Sequence, residues 1–371
     1  MASPETLEVS KSNPPPSGAS DPEAQESRDP EGSRKTNQSA RVVLPSVNGG
    51  DHETDEEEDG PEENLDDGDF LSDFPDETEE LELLHSRIGS LAGLRLSRFA
   101  GHLKKLCLRQ NFISHLDPEV FHQLTKLEEL DLYDNKIKGV GEALDNLYLT
   151  HMDDISVLDL SFNLLRSVPD RLEFLTSLDT IYFVQNKISK ISGFTSCCTL
   201  RSLELGGNRL RRIENLDDLV NLEELWLGKN KIAKLEGLEN LKKLKMLSLQ
   251  SNRITKLEGL QELRDLDQLY LSHNGIKRLE GLENNVQLTT LDVGSNFIPA
   301  IENLSHLTKL EELWMNGNQI PALNALESEL KPISTLQTLY LEANPCQTND
   351  ITGYRRKIML ALPQLKQIDA L

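Results

Sequence analysis

The sequence predicts an α/β solenoid, one parallel sheet wound from short repeated strands, and three observations predict it. An asparagine recurs at Asn186, Asn208, Asn230, Asn252, Asn274, Asn296 and Asn318, six consecutive steps of 22 residues. Leucines precede it in a fixed pattern, as in Leu222, Leu225, Leu227 and Asn230. Apolar residues then follow at steps of three, as in Ile232, Leu235, Leu238, Leu241 and Leu244. The first spacing suits a strand, whose alternate side chains share a face. The second suits tight helical or 3-10 turns on the way back, because 22 residues leave no room for a long helix.

Each fixed residue has a physical reason. One unit cannot bury its leucines alone, so units stack and their apolar residues form one continuous core. Each fully buried Leu or Ile contributes roughly 1.5–3 kcal/mol before chain entropy is counted. The asparagine stands where the chain leaves the strand, and its amide can bond backbone groups that the turn leaves without partners. The pattern L-x-x-L-x-L-x-x-N is the core of a leucine-rich repeat. The fold expected is therefore a leucine-rich-repeat solenoid with a curved, concave sheet of about twelve short strands. Beyond the regular run lie Asn111, Asn135, Asn163 and Asn344, with steps of 24, 28, 23 and 26 residues. One earlier turn fits if Ser86 takes the asparagine slot among Leu81, Leu83, Ile88, Leu91 and Leu94. In the 28-residue repeat the excess falls around Gly139 to Gly141 and Tyr148 to Met152, and the insertion could shift the register between Asp131 and Asp159. The solenoid is expected over 79–343 and a C-terminal cap over 344–371.

Charge divides the chain differently. Of the net −23, residues 1–80 hold 24 Asp and Glu against 5 Lys and Arg, and the remainder is close to balanced. Residues 1–78 read as a disordered acidic segment, with few apolar residues to pack. From Asp51 to Glu80 there are seventeen acids and no Lys or Arg. Such a run is either a self-repelling solvated tail or an arm for a basic surface. The basic runs around Arg209 to Arg212 and Lys242 to Lys245 are expected on turns, balanced by nearby acids, so nucleic-acid binding is not expected. No stretch approaches the roughly eighteen apolar residues of a membrane span. The four cysteines, Cys107, Cys197, Cys198 and Cys346, lack the paired spacing of disulfide-bonded caps, which points to an intracellular protein with reduced thiols. The eight histidines show no metal-ligand spacing with Cys or acids, and no nucleophile elbow or phosphate loop occurs, so neither enzyme chemistry nor a cofactor is expected.

What remains is the concave face. The residue between the last two leucines points out of the sheet, giving the column Glu82, Cys107, Asp131, Asp159, Tyr182, Glu204, Trp226, Ser248, Tyr270, Asp292, Trp314 and Tyr340. Both tryptophans of the chain and three of its six tyrosines fall in it. Strand propensity alone favours some aromatics, but aromatic anchors bordered by acids are the composition of a binding hot spot. Asp159, Glu204, Asp292 and the nearby Glu312 call for a partner with basic patches.

Leu106 to Asn111 (LCLRQN), Glu129 to Asn135 (ELDLYDN), Leu158 to Leu165 (LDLSFNLL), Tyr270 to Gly275 (YLSHNG) and Leu279 to Asn285 (LEGLENN) closely resemble the protein phosphatase 1 regulatory subunit 7 family. Tyr354 to Pro363 (YRRKIMLALP) resembles that family's C-terminal cap. The resemblance spans roughly residues 80–370 and implies a regulator that binds the phosphatase 1 catalytic subunit through its concave face. It also implies a third, inhibitory protein in a ternary complex, location in nucleus and cytoplasm, and contact residues at Asp159, Tyr182, Glu204, Trp226, Asp292, Glu312, Trp314 and Tyr340. Tyr182 and Trp226 stand where the family often has Phe. An acidic leucine-rich histone-binding or chaperone-like protein, or another intracellular scaffold, is the alternative.

Overall fold

The computed structural model describes residues 39–43 and 71–370, apart from 122, 141–154, 170, 171, 173, 174 and 196. Its strands are β1 (Ser39–Val43), β2 (Glu80–Leu84), β3 (Lys105–Cys107), β4 (Glu129–Asp131), β5 (Val157–Asp159), β6 (Thr180–Tyr182) and β7 (Ser202–Glu204). They continue as β8 (Glu224–Trp226), β9 (Met246–Ser248), β10 (Gln268–Tyr270), β11 (Thr290–Asp292), β12 (Glu312–Trp314), β13 (Thr338–Tyr340) and β14 (Gln367–Ile368). All fourteen lie in one parallel sheet in chain order, so every crossover joins neighbouring strands.

Along each three-residue strand the middle leucine or isoleucine is buried, and the side chains before and after it face outward. Leu225 and Leu227 are fully buried on either side of Trp226. On the return path the steps of three are hydrogen-bonded steps. The Leu219 N–H donates to the Leu216 carbonyl at 3.0 Å, and Leu222 to Leu219 at 3.0 Å. Leu241 and Leu244 repeat the pattern one layer on. These are the i to i+3 bonds of a 3-10 turn, which puts one buried apolar side chain at each step.

The asparagines act as the sequence implies. The Asn230 side-chain amide donates to the Leu205 carbonyl at 2.9 Å and to the Leu227 carbonyl at 3.1 Å. Its Oδ1 accepts the Leu210 N–H at 2.9 Å. One side chain thus satisfies backbone groups of its own repeat and of the one before it. In the first turn Ser86 takes the slot, and its N–H donates to Asn111 Oδ1 at 3.0 Å. At the other end Asp369 closes the ladder, Oδ1 accepting the Leu341 and Glu342 N–H groups at 2.8 and 2.9 Å. The cap helix α3 (Tyr354–Ala361) buries Tyr354 and Ile358 against this last layer; the short helices α1 (Pro118–Phe121) and α2 (Pro345–Thr348) precede it in the chain.

Three expectations change. The 28-residue repeat does not shift the register, because β4 and β5 pair Leu130 with Leu158 and Asp131 with Asp159. Part of the expected bulge, 141–154, lies outside the described residues. Within the segment expected to lack structure, β1 pairs parallel to β2, and Leu71 is 3% exposed in the core. Arg98 accounts for the second of these, donating to the Leu71 carbonyl at 3.1 Å and the Phe74 carbonyl at 2.7 Å and pairing with Asp76. The acidic run 51–70 lies outside the described residues. Finally, a wide helical turn, Leu326–Leu330, is closed by an i to i+5 bond from the Lys331 N–H to the Leu326 carbonyl, and it occupies the longer repeat between Asn318 and Asn344.

Candidate functional site

The strand register brings all twelve column residues into one line. Asp159 pairs with Tyr182, Tyr182 with Glu204, and Glu204 with Trp226. Further along, Tyr270 pairs with Asp292, Asp292 with Trp314, and Trp314 with Tyr340. Neighbours stand one strand spacing apart, about 4.8 Å. Glu312 lies on the same face as Trp314, two residues before it. The eight residues named from the sequence therefore share one face, in two groups separated by Ser248 and Tyr270.

The second group is aromatic. Trp314 stands edge-on to Tyr340, with centroids 5.5 Å apart and planes at 67°. It also meets Tyr270 edge-on, at 6.4 Å and 69°. Tyr270 belongs to the strand beyond Asp292, so the indole reaches across the acid between them. Asp292 is accordingly only 4% exposed, although its position faces out of the sheet. Its Oδ1 accepts the Gly294 N–H at 3.0 Å, and burial raises its pKa. Asp292 thus serves here as the base of the aromatic group rather than as an open charge. Tyr270, left out of the contact set drawn from the resemblance, braces Trp314. Its place in the column was the available signal. The Trp314 indole nitrogen is buried without a hydrogen-bond partner.

The first group is acidic. Glu204 has its pKa pushed up to about 7, chiefly by burial, then by the charges of Asp159 and Glu224. Burial also raises Asp159, against the opposing hydrogen bonds of Ser161, whose N–H donates to Asp159 Oδ1 at 2.8 Å. Tyr182, half-buried between them, has its hydroxyl pKa raised by burial and by the same acids. Trp226 extends this group, its Nε1 donating to Glu224 Oε2 at 3.5 Å. Glu204 stands among acids, and an approaching Lys or Arg would favour its ionised form.

A further aromatic pair lies beside the face near its start, where Arg109 stacks 4.1 Å over the ring of Tyr133 and Tyr133 meets Phe162 at 4.7 Å. The sequence reading passed over it, since these residues lie outside the column. Among the described residues no group of three or more His, Cys, Asp or Glu could hold a metal ion, and no helix is long and apolar enough to cross a membrane. Cys107, Cys197, Cys198 and Cys346 are free thiols.

With this geometry in hand, comparison with known proteins defines the class. Leucine-rich-repeat family models match residues 101–153, 171–265 and, as two copies, 286–328. A leucine-rich-repeat protein of Leptospira interrogans superposes with a TM-score of 0.60 at 26% identity, over 78% of this chain and 75% of that one. A Listeria monocytogenes internalin gives a TM-score of 0.62 at 24% identity over 79% and 87%, a likeness of fold alone. The chain is a leucine-rich-repeat protein. Within that class it is similar, over part of its length, to proteins named as regulatory subunits of protein phosphatase 1. It is 44% identical to "Protein phosphatase 1 regulatory subunit SDS22" of Saccharomyces cerevisiae over 102 residues, 28% of each chain. It is 38% identical to "Protein phosphatase 1 regulatory inhibitor subunit PPP1R7 homolog" of Arabidopsis thaliana over 142 residues, 38% of this chain and 41% of that one. The SDS22 subunit of Schizosaccharomyces pombe matches at 48% over 83 residues, 22% and 23% of the two chains. The aligned stretches span less than half the length of these curated relatives.

Proposed function

We propose that this chain is a non-enzymatic regulatory subunit that binds the catalytic subunit of protein phosphatase 1 through the concave face of its repeats. The observation that carries the reading is the in-register column, with acids at Asp159 and Glu204 and the braced Trp314 further along. Relatives named as regulatory subunits of that phosphatase support the choice of partner. In this reading Tyr182, Trp226, Trp314 and Tyr340 are the anchors, and Asp159, Glu204 and Glu312 receive basic side chains. Asp292 acts through the aromatic group above it. A third, inhibitory protein would join the pair in nucleus and cytoplasm.

Titration calorimetry of the full chain against the phosphatase catalytic subunit, with activity followed in parallel, tests this. Tight binding with loss of activity is the expected result. Tight binding with activity retained makes the chain a targeting subunit, and absence of binding by the folded chain rejects the reading.

A further inference from the structure

Past the end of each strand the chain turns through the asparagine, and the next side chain stands on the flank of the sheet. From β6 to β9 that position is held by Lys187, Arg209, Lys231 and Arg253. The last three are exposed and Lys187 is half-buried. Backbone bonds fix their register. The Arg209 N–H donates to the Ile188 carbonyl, Lys231 to Leu210 and Arg253 to Ile232, each at 2.8 Å. Four cations therefore form a ladder with one rung per strand, about 4.8 Å apart. Among the described residues, ion pairs form around the ladder but none of its four rungs is in one.

Three residues further along each turn is a second cationic row, Lys190, Arg212, Lys234 and Lys256, continued by Arg278 in the next repeat, and its later members engage local acids. Lys234 pairs with Glu236 at 3.3 Å, Lys256 with Glu258 at 3.5 Å and Arg278 with Glu302 at 3.3 Å. The expectation that the run at Arg209 to Arg212 is balanced by nearby acids thus fails at Arg209, which is in none of the ion pairs among the described residues. Glu236 and Glu258 engage the second row, and the rungs stack across repeats. Like charges one strand apart repel, and an anionic segment laid along them would relieve that repulsion.

The chain carries such a segment. β1 runs parallel to β2, with Val43 opposite Leu84, so the chain leaves Val43 at the same edge of the sheet as the ladder. Lys187 lies five strands from β1 and Arg253 eight, roughly 24–38 Å along the edge at about 4.8 Å per strand. Asp51 and Asp59 follow Val43 by eight and sixteen residues, an extended reach of roughly 26–53 Å. Leu71 follows Asp59 by twelve residues, enough for a return of about 40 Å. Between Asp51 and Asp59 seven of nine residues are acidic and none is Lys or Arg. The concave column, with Asp131, Asp159 and Glu204, repels the same run. Nucleic acid fits the ladder less well, because no aromatic side chain stands among the rungs to stack a base, and carboxylates line the second row.

We propose that the acidic run Asp51 to Asp59 docks along the Lys187, Arg209, Lys231 and Arg253 ladder, an intramolecular site apart from the concave face. The proposal does not depend on the phosphatase reading. Carbodiimide coupling of the full chain tests it. At low salt, isopeptide links should join carboxylates of 51–59 to Lys187 and Lys231, in preference to Lys242 and Lys243 on the convex turns. They should vanish at ~0.5 M salt, where the Debye length falls to about 4 Å. Links spread evenly over all exposed lysines, or absent, overturn the proposal. A second arm adds a synthetic peptide of residues 51–59 to the full chain. Replacing the chain's own seven acids by Asn and Gln should tighten peptide binding by about tenfold or more, since a tethered competitor is removed. Adding K187Q, R209Q, K231Q and R253Q should abolish it. Equal peptide binding with and without the acids overturns intramolecular docking, as does displacement of the peptide by a single-stranded oligonucleotide at lower concentration.

Discussion

Trp314 stands edge-on to Tyr340 with ring centroids 5.5 Å apart, and on its other side reaches over Asp292 to Tyr270. An indole held on two sides loses little side-chain freedom when a partner covers it, which is the property of an anchor. Trp314→Ala should therefore weaken phosphatase binding by about 2 kcal/mol, near thirtyfold. Tyr270→Ala, which only unbraces the indole, should cost about 1 kcal/mol. Tyr270→Phe keeps the ring and loses only the hydroxyl bond to Gln268, so it should be neutral. Calorimetry on the three variants, each checked by circular dichroism, decides the matter. Equal losses for Phe and Ala at position 270 would contradict the bracing role.

The Trp226→Ala, Trp314→Ala double variant should remove detectable binding, because each anchor contributes about 2 kcal/mol and they belong to separate groups on the face. A folded double variant with unchanged affinity would show that the phosphatase uses another surface.

Glu204 makes stability depend on pH. Its folded pKa, about 7, lies above the ordinary carboxylate value of 4.5. The folded state thus holds the proton more tightly than the unfolded chain, and stability falls as pH rises between these two values. Above pH 7 the loss is complete, and solvent access limits it to the order of 1–2 kcal/mol. Glu204→Gln should flatten that slope in denaturant titrations. A cationic partner would drive off the same proton, so binding near pH 6 should release protons, read as a dependence of the calorimetric heat on buffer ionisation enthalpy.

Asn230→Ala removes three bonds to buried backbone at once. The expected loss is about 3 kcal/mol, since the freed groups cannot reach water. Urea unfolding measures it, and a loss below about 1 kcal/mol would mean that the turn repacks.

At Gly259, φ is +72° and an added Cβ would lie 2.6 Å from the Leu235 carbonyl oxygen. Gly259→Ala should cost about 2 kcal/mol or more, from the left-handed backbone and the collision with fixed main chain. Gly89→Ala, where nothing lies within 4 Å, is the control and should be silent in the same thermal melts.

The repeats were legible in the sequence because each invariant position has a cause within its own or the adjoining layer. Leu225 fills the core, Asn230 closes the turn, and both recur every 22 residues. The concave column was legible for the same reason. Burial of Asp292 was not, since it depends on the direction taken by the indole of the next strand. β1 was not legible either. Ser39 to Val43 belongs to no repeat, and its only claim to a strand is pairing with Glu80–Leu84. The basic ladder was hidden by reading charge along the chain. Counting one place past each asparagine, as was done for the column, exposes Lys187, Arg209, Lys231 and Arg253.

Asp131 and Asp159 remain partners although 28 residues separate them, while Glu204 and Trp226 are partners at 22. Extra chain in this molecule widens a coil without lengthening the axis. The separation of any two docking groups is thus an integer number of pitches, indifferent to how much loop lies between. Enlarging a turn leaves a bound partner's footprint unmoved. Gaining or losing one whole coil displaces half of it by about 4.8 Å, enough to break a fit between rigid bodies.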